Sequence, residues 1–292
     1  MSDDLNNIPS EKSVLSHGIC TGERALFMAH DMKISETVFE DGESPLKHSS
    51  DIELFDSSFR WKYPLWYSKN IVMKDCVLEE TARAGIWYTE NLKAWDVEIY
   101  APKTFRRSEH IRLENVTLHN ASETFWECGS IELFNVKAKG DYFAMNSHNI
   151  TVKDFELDGN YGFDGCENIT VENGRMITKD AFWNCRNVTV KNSLINGEYL
   201  GWNSENLTFV NCTIESLQGL CFVKNLVMRN CTLVNTTLAF EYSDVDAEIN
   251  GHIDSIKNPS SGRIRAGSVG ELIMEEDMVD VKATKIILRD DN

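Results

Sequence analysis

Asn149-Ile-Thr-Val-Lys-Asp154 is followed by Asn168-Ile-Thr-Val-Glu-Asn173, and that by Asn187-Val-Thr-Val-Lys-Asn192. Asn206-Leu-Thr-Phe-Val-Asn211 and Asn225-Leu-Val-Met-Arg-Asn230 continue the series. Asp51-Ile-Glu-Leu-Phe-Asp56 and Asn70-Ile-Val-Met-Lys-Asp75 precede it. The first apolar position falls at Ile52, Ile71, Leu92, Ile111, Ile131, Ile150, Ile169, Val188, Leu207 and Leu226; seven of the nine intervals are 19 residues and the others 21 and 20. Four residues further on, all ten units carry Asp or Asn.

The alternation Ile-x-Val with Thr enrichment is a strand signal. The Asn or Asp after it suits a left-handed corner, and burial of that corner is expected. A second short apolar piece follows (Val77-Leu78, Val116-Thr-Leu118, Phe155-Glu-Leu157), then a third. Three short strands in about 19–20 residues describe one coil of a parallel β-helix. Identical positions then stack at about 4.8 Å per rung. The Leu-x-x-Leu-x-Leu signature of leucine-rich repeats is missing, as is any helical-pair repeat. The fold class is therefore all-β, a single domain over 1–292. Residues 1–33 form an N-terminal cap, with Thr21-Gly-Glu-Arg-Ala-Leu-Phe27 opening a short helix; 34–243 form regular coils, and 244–292 degenerate coils and a second cap.

Of 292 residues, 29 are Lys or Arg and 46 Asp or Glu, a net charge of −17. A field of that sign repels phosphate backbones and anionic lipid, which argues against nucleic acid and membrane partners. No apolar run approaches a membrane span. Met1-Ser2-Asp3-Asp4-Leu5-Asn6-Asn7 lacks a basic or apolar signal region, so a cytoplasmic location is the expectation. The eight cysteines form no CxxC pair. Cys76, Cys212 and Cys231 share one register, and Cys128, Cys166 and Cys185 another, with Ser147 and Ser204. Such columns read as inward ladders of reduced thiols. The seven His residues show no ligand spacing, so neither a metal nor a cofactor is expected.

Strand alternation divides the third segment into two sets. Pro64/Trp66/Ser68, Gly85/Trp87/Thr89, Thr124/Trp126/Cys128, Phe143/Met145/Ser147, Ala181/Trp183/Cys185 and Leu200/Trp202/Ser204 should face in, with Asp164 breaking the row. Tyr63/Leu65/Tyr67, Ala84/Ile86/Tyr88, Lys103/Phe105/Arg107, Glu123/Phe125/Glu127, Tyr142/Ala144/Asn146, Tyr161/Phe163/Gly165, Asp180/Phe182/Asn184 and Tyr199/Gly201/Asn203 should face out. An exposed aromatic strip edged by acids and amides has the chemistry of a carbohydrate groove. A terminal arm over the strip, or a second copy of the chain, is the alternative account.

The substrate-contact candidates are Tyr88, Phe125, Glu127, Tyr142, Asn146, Tyr161, Phe163, Phe182, Asn184, Tyr199 and Asn203. Lys103 and Arg107 sit one rung from Glu123 and Glu127, either as surface ion pairs or as an acid–base cluster. Asp180, between Tyr161 and Tyr199, is placed to have a raised pKa; Asp141 and Lys179 flank the same strand. Glu123, Asp141, Asp180, Lys103 and Arg107 are the catalytic candidates, with Glu123 and Asp141 on neighbouring rungs as the first carboxylate pair for a glycosidase.

Gly22-Glu-Arg-Ala-Leu-Phe27, Asp41-Gly-Glu-Ser-Pro-Leu-Lys-His-Ser49, Glu80-Thr-Ala-Arg-Ala-Gly-Ile-Trp-Tyr-Thr89, Ala101-Pro-Lys-Thr-Phe-Arg-Arg107, Glu123-Thr-Phe-Trp126 and Gly140-Asp-Tyr-Phe143 together resemble an uncharacterised bacterial family, carried as a domain of unknown function. The resemblance covers roughly residues 20–285 and implies a right-handed, pectin-lyase-like β-helix with a loose link to polysaccharide lyases and hydrolases. It implies no reaction or catalytic residue. A hydrolase acting on an oligosaccharide is the first functional expectation, and a non-catalytic scaffold or self-association module the second.

Overall fold

The computed structural model describes residues 12–288. Every element is a strand or a turn; the described residues contain no helix. The chain winds as a right-handed parallel β-solenoid of about 15 turns. In the middle coils the first two strands of a rung run together, as in Gly129–Lys139, His148–Asp158 and Glu167–Ile177. Neighbouring rungs pair in parallel and in register, Ile131 against Ile150 and Ile150 against Ile169. The first apolar position is buried in every unit from Ile52 to Leu226. Phenylalanines also stack through the core, with Phe39–Phe59 centroids at 4.6 Å and Phe105–Phe125 at 4.5 Å.

The corner between first and second strands, which the long middle strands run through, is the Asn/Asp position. All ten residues, from Asp56 to Asn230, have positive φ, where Asn and Asp are the least penalised L-residues. Their side chains are exposed, so the expected burial of this corner is corrected. The amides bond up the stack instead: Asn135 Nδ2 donates to Asn115 at 2.8 Å, and Asn211 to Asn192 at 3.0 Å. A second asparagine ladder opens the first strand, where Asn168 donates to Asn149 and Asn187 to Asn168 at 3.0 and 2.9 Å.

The third segment departs from expectation. It is a run of turns, with only two-residue strands at Ile86–Trp87 and Phe105–Arg106. Its first and last outer positions are left-handed, as at Tyr63 and Tyr67, and from Phe125 onward the middle position usually is too. Left-handed residues curl the chain, so the period-two rule of extended backbone does not hold. Two successive residues point inward: Phe143 and Ala144 are buried, Met145 and Asn146 are not, and Ser147 is buried again. No Val, Ile or Thr occupies a left-handed position anywhere in the described chain, in line with the steric cost of branching at Cβ there.

The turn segment closes on a buried small polar residue. Ser147 Oγ accepts the Cys128 N–H at 2.9 Å and donates to the Phe125 carbonyl. Cys166 Sγ accepts the Ser147 N–H at 3.3 Å and donates to the Ala144 carbonyl. Ser204 serves Cys185 N–H and the Phe182 carbonyl in the same way, at 2.8 and 2.7 Å. The ladder thus satisfies backbone groups that a buried turn would otherwise strand. All eight cysteines are free.

At the N-terminus the expected helix over Thr21–Phe27 is absent. Residues 22–28 form a turn segment whose N–H groups bond the next rung, Arg24 to the Glu43 carbonyl and Leu26 to that of Pro45. Ser13–Ser16 already pairs with His30–Ser35. At the other end Asp244–Asn250 pairs with Ser261–Ala266, which pairs with Thr284–Leu288. The parts of the two expected caps in residues 1–11 and 289–292, including the acidic Met1–Asn7, lie outside the described residues.

Candidate functional site: the turn face

The turns build one outward face with three columns. The first holds Tyr63, Lys103, Glu123, Tyr142, Tyr161, Asp180 and Tyr199, with Ala84 buried at its second rung. The second holds Trp66, Trp87, Arg106, Trp126, Met145, Asp164, Trp183 and Trp202. The third holds Tyr67, Tyr88, Arg107, Glu127, Asn146, Gly165, Asn184 and Asn203. Eight rungs at the strand spacing extend about 34 Å. Tyr67 and Tyr142 are 44% and 38% exposed, so no described segment covers the face.

Half of the sequence-based assignment is corrected here. Phe125, Phe163 and Phe182 are fully buried core residues and cannot touch a ligand at this surface; Leu65, Ile86, Phe105 and Ala144 are buried with them. The tryptophans and Asp164, expected inside, are partly exposed in the second column. The structure therefore adds Trp66, Trp87, Arg106, Trp126, Met145, Asp164, Trp183 and Trp202 to the face. The outer candidates Tyr88, Glu127, Tyr142, Asn146, Tyr161, Asn184, Tyr199 and Asn203 lie on it.

Ring geometry sets what the face presents. Trp66 and Trp87 stack at 5.2 Å with planes 6° apart, and Tyr67 and Tyr88 at 4.6 Å and 3°. The Arg106 guanidinium lies between Trp87 and Trp126, 4.6 and 4.5 Å from their centroids, with Nε buried and without a hydrogen-bond partner. Tyr142 and Tyr161 stack at 4.7 Å. Rings stacked rung upon rung turn their faces to one another and their edges to solvent. Indole N–H groups are tied down as well: Trp87 donates to the Lys103 carbonyl at 2.8 Å, Trp126 to Tyr142 at 2.7 Å and Trp183 to Tyr199 at 2.8 Å.

The charged candidates are paired along the axis. Lys103 meets Glu123 at 2.9 Å, and Arg106 reaches the same carboxylate at 3.4 Å. Arg107 meets Glu127 at 2.8 Å, and its hydrogen bonds hold the Glu127 carboxyl below the usual range. Asp180 is 9% exposed. Burial raises its pKa, Glu198 and Asp164 add to the rise, and Lys179 opposes it. Asp141 stands one residue outside the first column and accepts the Asn160 N–H at 2.8 Å. Asp141, Asn160, Lys179 and Glu198 line a groove of about 600 Å³ beside that column, and Lys179 and Glu198 pair at 2.9 Å.

Burial makes three of the thiols poor nucleophiles, pushing Cys76 up to about 11 and Cys128 and Cys166 up to about 12. Among the described residues no group of three or more His, Cys, Asp or Glu is arranged to hold a metal ion. No helix there is long and apolar enough to cross a membrane.

Three solved structures are similar in chain path. A surface adhesin of Streptococcus pneumoniae, PfbA, shares 8% identity over 90% of this chain and 80% of its own, with a TM-score of 0.36. The A-module of the Azotobacter vinelandii mannuronan C-5 epimerase AlgE4 shares 10% over 94% and 87%, with a TM-score of 0.31. A mutant tailspike protein of E. coli bacteriophage HK620, in complex with a hexasaccharide, shares 8% over 89% and 70%, with a TM-score of 0.45. At such likeness neither activity nor ligand transfers. No curated protein matches the chain. The family described as "Protein of unknown function (DUF3737)" matches residues 14–287, and the chain belongs to that family.

Proposed function

We propose that this protein binds an oligosaccharide along the turn face. The observation that supports it is the uncovered aromatic face itself. It spans eight rungs, seven presenting a Tyr or Trp and the third Lys103, Arg106 and Arg107, and is edged by Glu127, Asn146, Asn184 and Asn203 on one side. Soluble proteins rarely leave so long an aromatic surface open without a ligand for it. Amphipathic rings beside amides and carboxylates suit a linear, hydroxyl-rich ligand that repeats along the rod.

Hydrolysis of the bound glycan is the finer reading. It calls for two carboxylates, and the face supplies Glu123 with Asp141 at its margin, together with Asp180. The test is a glycan array followed by calorimetry on the parent and on Tyr142→Ala/Tyr161→Ala, with circular dichroism as the control for folding. Loss of binding in the double variant supports the proposal. Glu123→Gln should retain binding and lose any turnover. A tyrosine variant that instead runs as a smaller species on sizing chromatography would assign the face to self-association.

A further inference from the structure

Trp87 is sandwiched between Trp66 and Arg106, and Trp202 lies between Trp183 and Phe222; a sandwiched ring has no face left for a ligand. The column breaks once. Between Trp126 and Trp183 it holds Met145 and Asp164, so two rungs carry neither a ring nor a guanidinium. Trp126 and Trp183 are then three rungs apart, about 14 Å at the strand spacing. Arg106 covers one side of Trp126, and Trp202 approaches one side of Trp183 at 6.2 Å. Tyr142 meets Trp126 edge-on with centroids 6.4 Å apart, and no stacked ring or cation covers the sides that look into the break.

The break is also trimmed. Gly165 follows Asp164 in sequence, and a Cβ there would collide with Asn146 Oδ1. Asn146 thus fills the room that a side chain at 165 would take. The stacked Tyr142–Tyr161 pair stands on one side of the break. On the other, Asn184 Nδ2 donates to Asp164 at 3.1 Å and Asn203 donates to Asn184 at 2.8 Å.

Charge decides which sugar fits. The cations of this stretch are already engaged: Lys103 and Arg106 with Glu123, Arg107 with Glu127, Lys179 with Glu198. Asp164 and Asp180 have no cation within ion-pair distance among the described residues. The whole chain carries −17. A uronate would meet uncompensated carboxylates here, whereas an ammonium would find an acceptor in Asp164 and a ring face in Trp183.

We infer that the break between Trp126 and Trp183 is the specificity subsite of the turn face and seats an amino-sugar residue, its ammonium on Asp164. The inference rests on the saccharide-binding reading and narrows it to one subsite and one class of sugar.

Calorimetry with three hexamers tests it: fully deacetylated glucosamine, N-acetylglucosamine and galacturonate, at low and at raised salt. The glucosamine oligomer should bind at least about tenfold more tightly than the others, the size of one charge-assisted contact, and should weaken with salt. Asp164→Asn, which keeps the side chain's shape, should remove that preference and its salt dependence; Trp183→Ala should weaken binding of the glucosamine oligomer. Equal or tighter binding of the acetylated or uronate oligomer, or an unchanged preference in Asp164→Asn, would overturn the inference. If saccharides bind without that preference and the binding is lost in Tyr142→Ala/Tyr161→Ala, the face reading stands and the subsite falls. If no saccharide binds, both fall.

Discussion

Ser147→Ala removes a single oxygen from a residue that is 1% exposed. That oxygen accepts the Cys128 N–H and donates to the Phe125 carbonyl. Alanine leaves both backbone groups buried in the turn segment, where no water replaces the lost partner. Stranding a buried polar group costs about 1–3 kcal/mol, and the two share one site, so a loss of about 2–4 kcal/mol is expected. Ser147→Cys should cost clearly less. The next rung already uses Cys166 in this role, its sulfur accepting the Ser147 N–H at 3.3 Å and donating to the Ala144 carbonyl. Urea unfolding of parent, Ser147→Ala and Ser147→Cys measures both, compared at constant m-value. An alanine variant within about 0.5 kcal/mol of the parent would refute the ladder's role, since that is the range of ordinary surface substitutions. A cysteine variant as damaged as the alanine would show that volume, not hydrogen bonding, selects these residues.

Three further outcomes follow from the same geometry. Asn192 is left-handed and accepts from Asn211 at 3.0 Å; Asn192→Leu should cost about 1–2 kcal/mol of stability and leave ligand affinity unchanged, by denaturation and calorimetry. Asp180 has a folded pKa above its unfolded value, so its ionisation opposes folding at neutral pH. Asp180→Asn should therefore raise the melting temperature at pH 7, with the gain shrinking as pH falls through the raised folded pKa toward the unfolded value of about 3.9; a gain that grows on acidification would contradict the sign. Alkylation of denatured, non-reduced protein should modify all eight cysteines by mass, because each is a free thiol.

The solenoid was legible because its two strands obey simple rules. Ile150, Ile169 and Val188 repeat the inward position, and the Asn or Asp four residues later marks a left-handed corner. Lys103–Glu123 and Arg107–Glu127 were placed on adjacent rungs by counting alone, and the structure pairs them. The third segment escapes the same rules because its backbone is not extended. Its sequences carry the sign: Tyr142-Phe-Ala-Met-Asn-Ser147, Asp180-Ala-Phe-Trp-Asn-Cys185 and Tyr199-Leu-Gly-Trp-Asn-Ser204 contain no β-branched residue. That absence signals left-handed backbone and would have turned the tryptophans outward. Stacking of the rings along the axis was not legible, since it depends on side-chain torsions that the pattern does not carry.

Five of the seven tryptophans, Trp66, Trp87, Trp126, Trp183 and Trp202, lie on the turn face, so a ligand there is visible in indole emission. An equilibrium titration of intrinsic fluorescence with oligosaccharides is the most direct test of the central claim. The account predicts a saturable change in emission that Trp126→Phe/Trp183→Phe diminishes and that Tyr142→Ala/Tyr161→Ala abolishes. Saturable binding, confirmed by calorimetry, that leaves the emission unchanged, or that survives in both variants at parental affinity, would place the ligand elsewhere on the rod and contradict it.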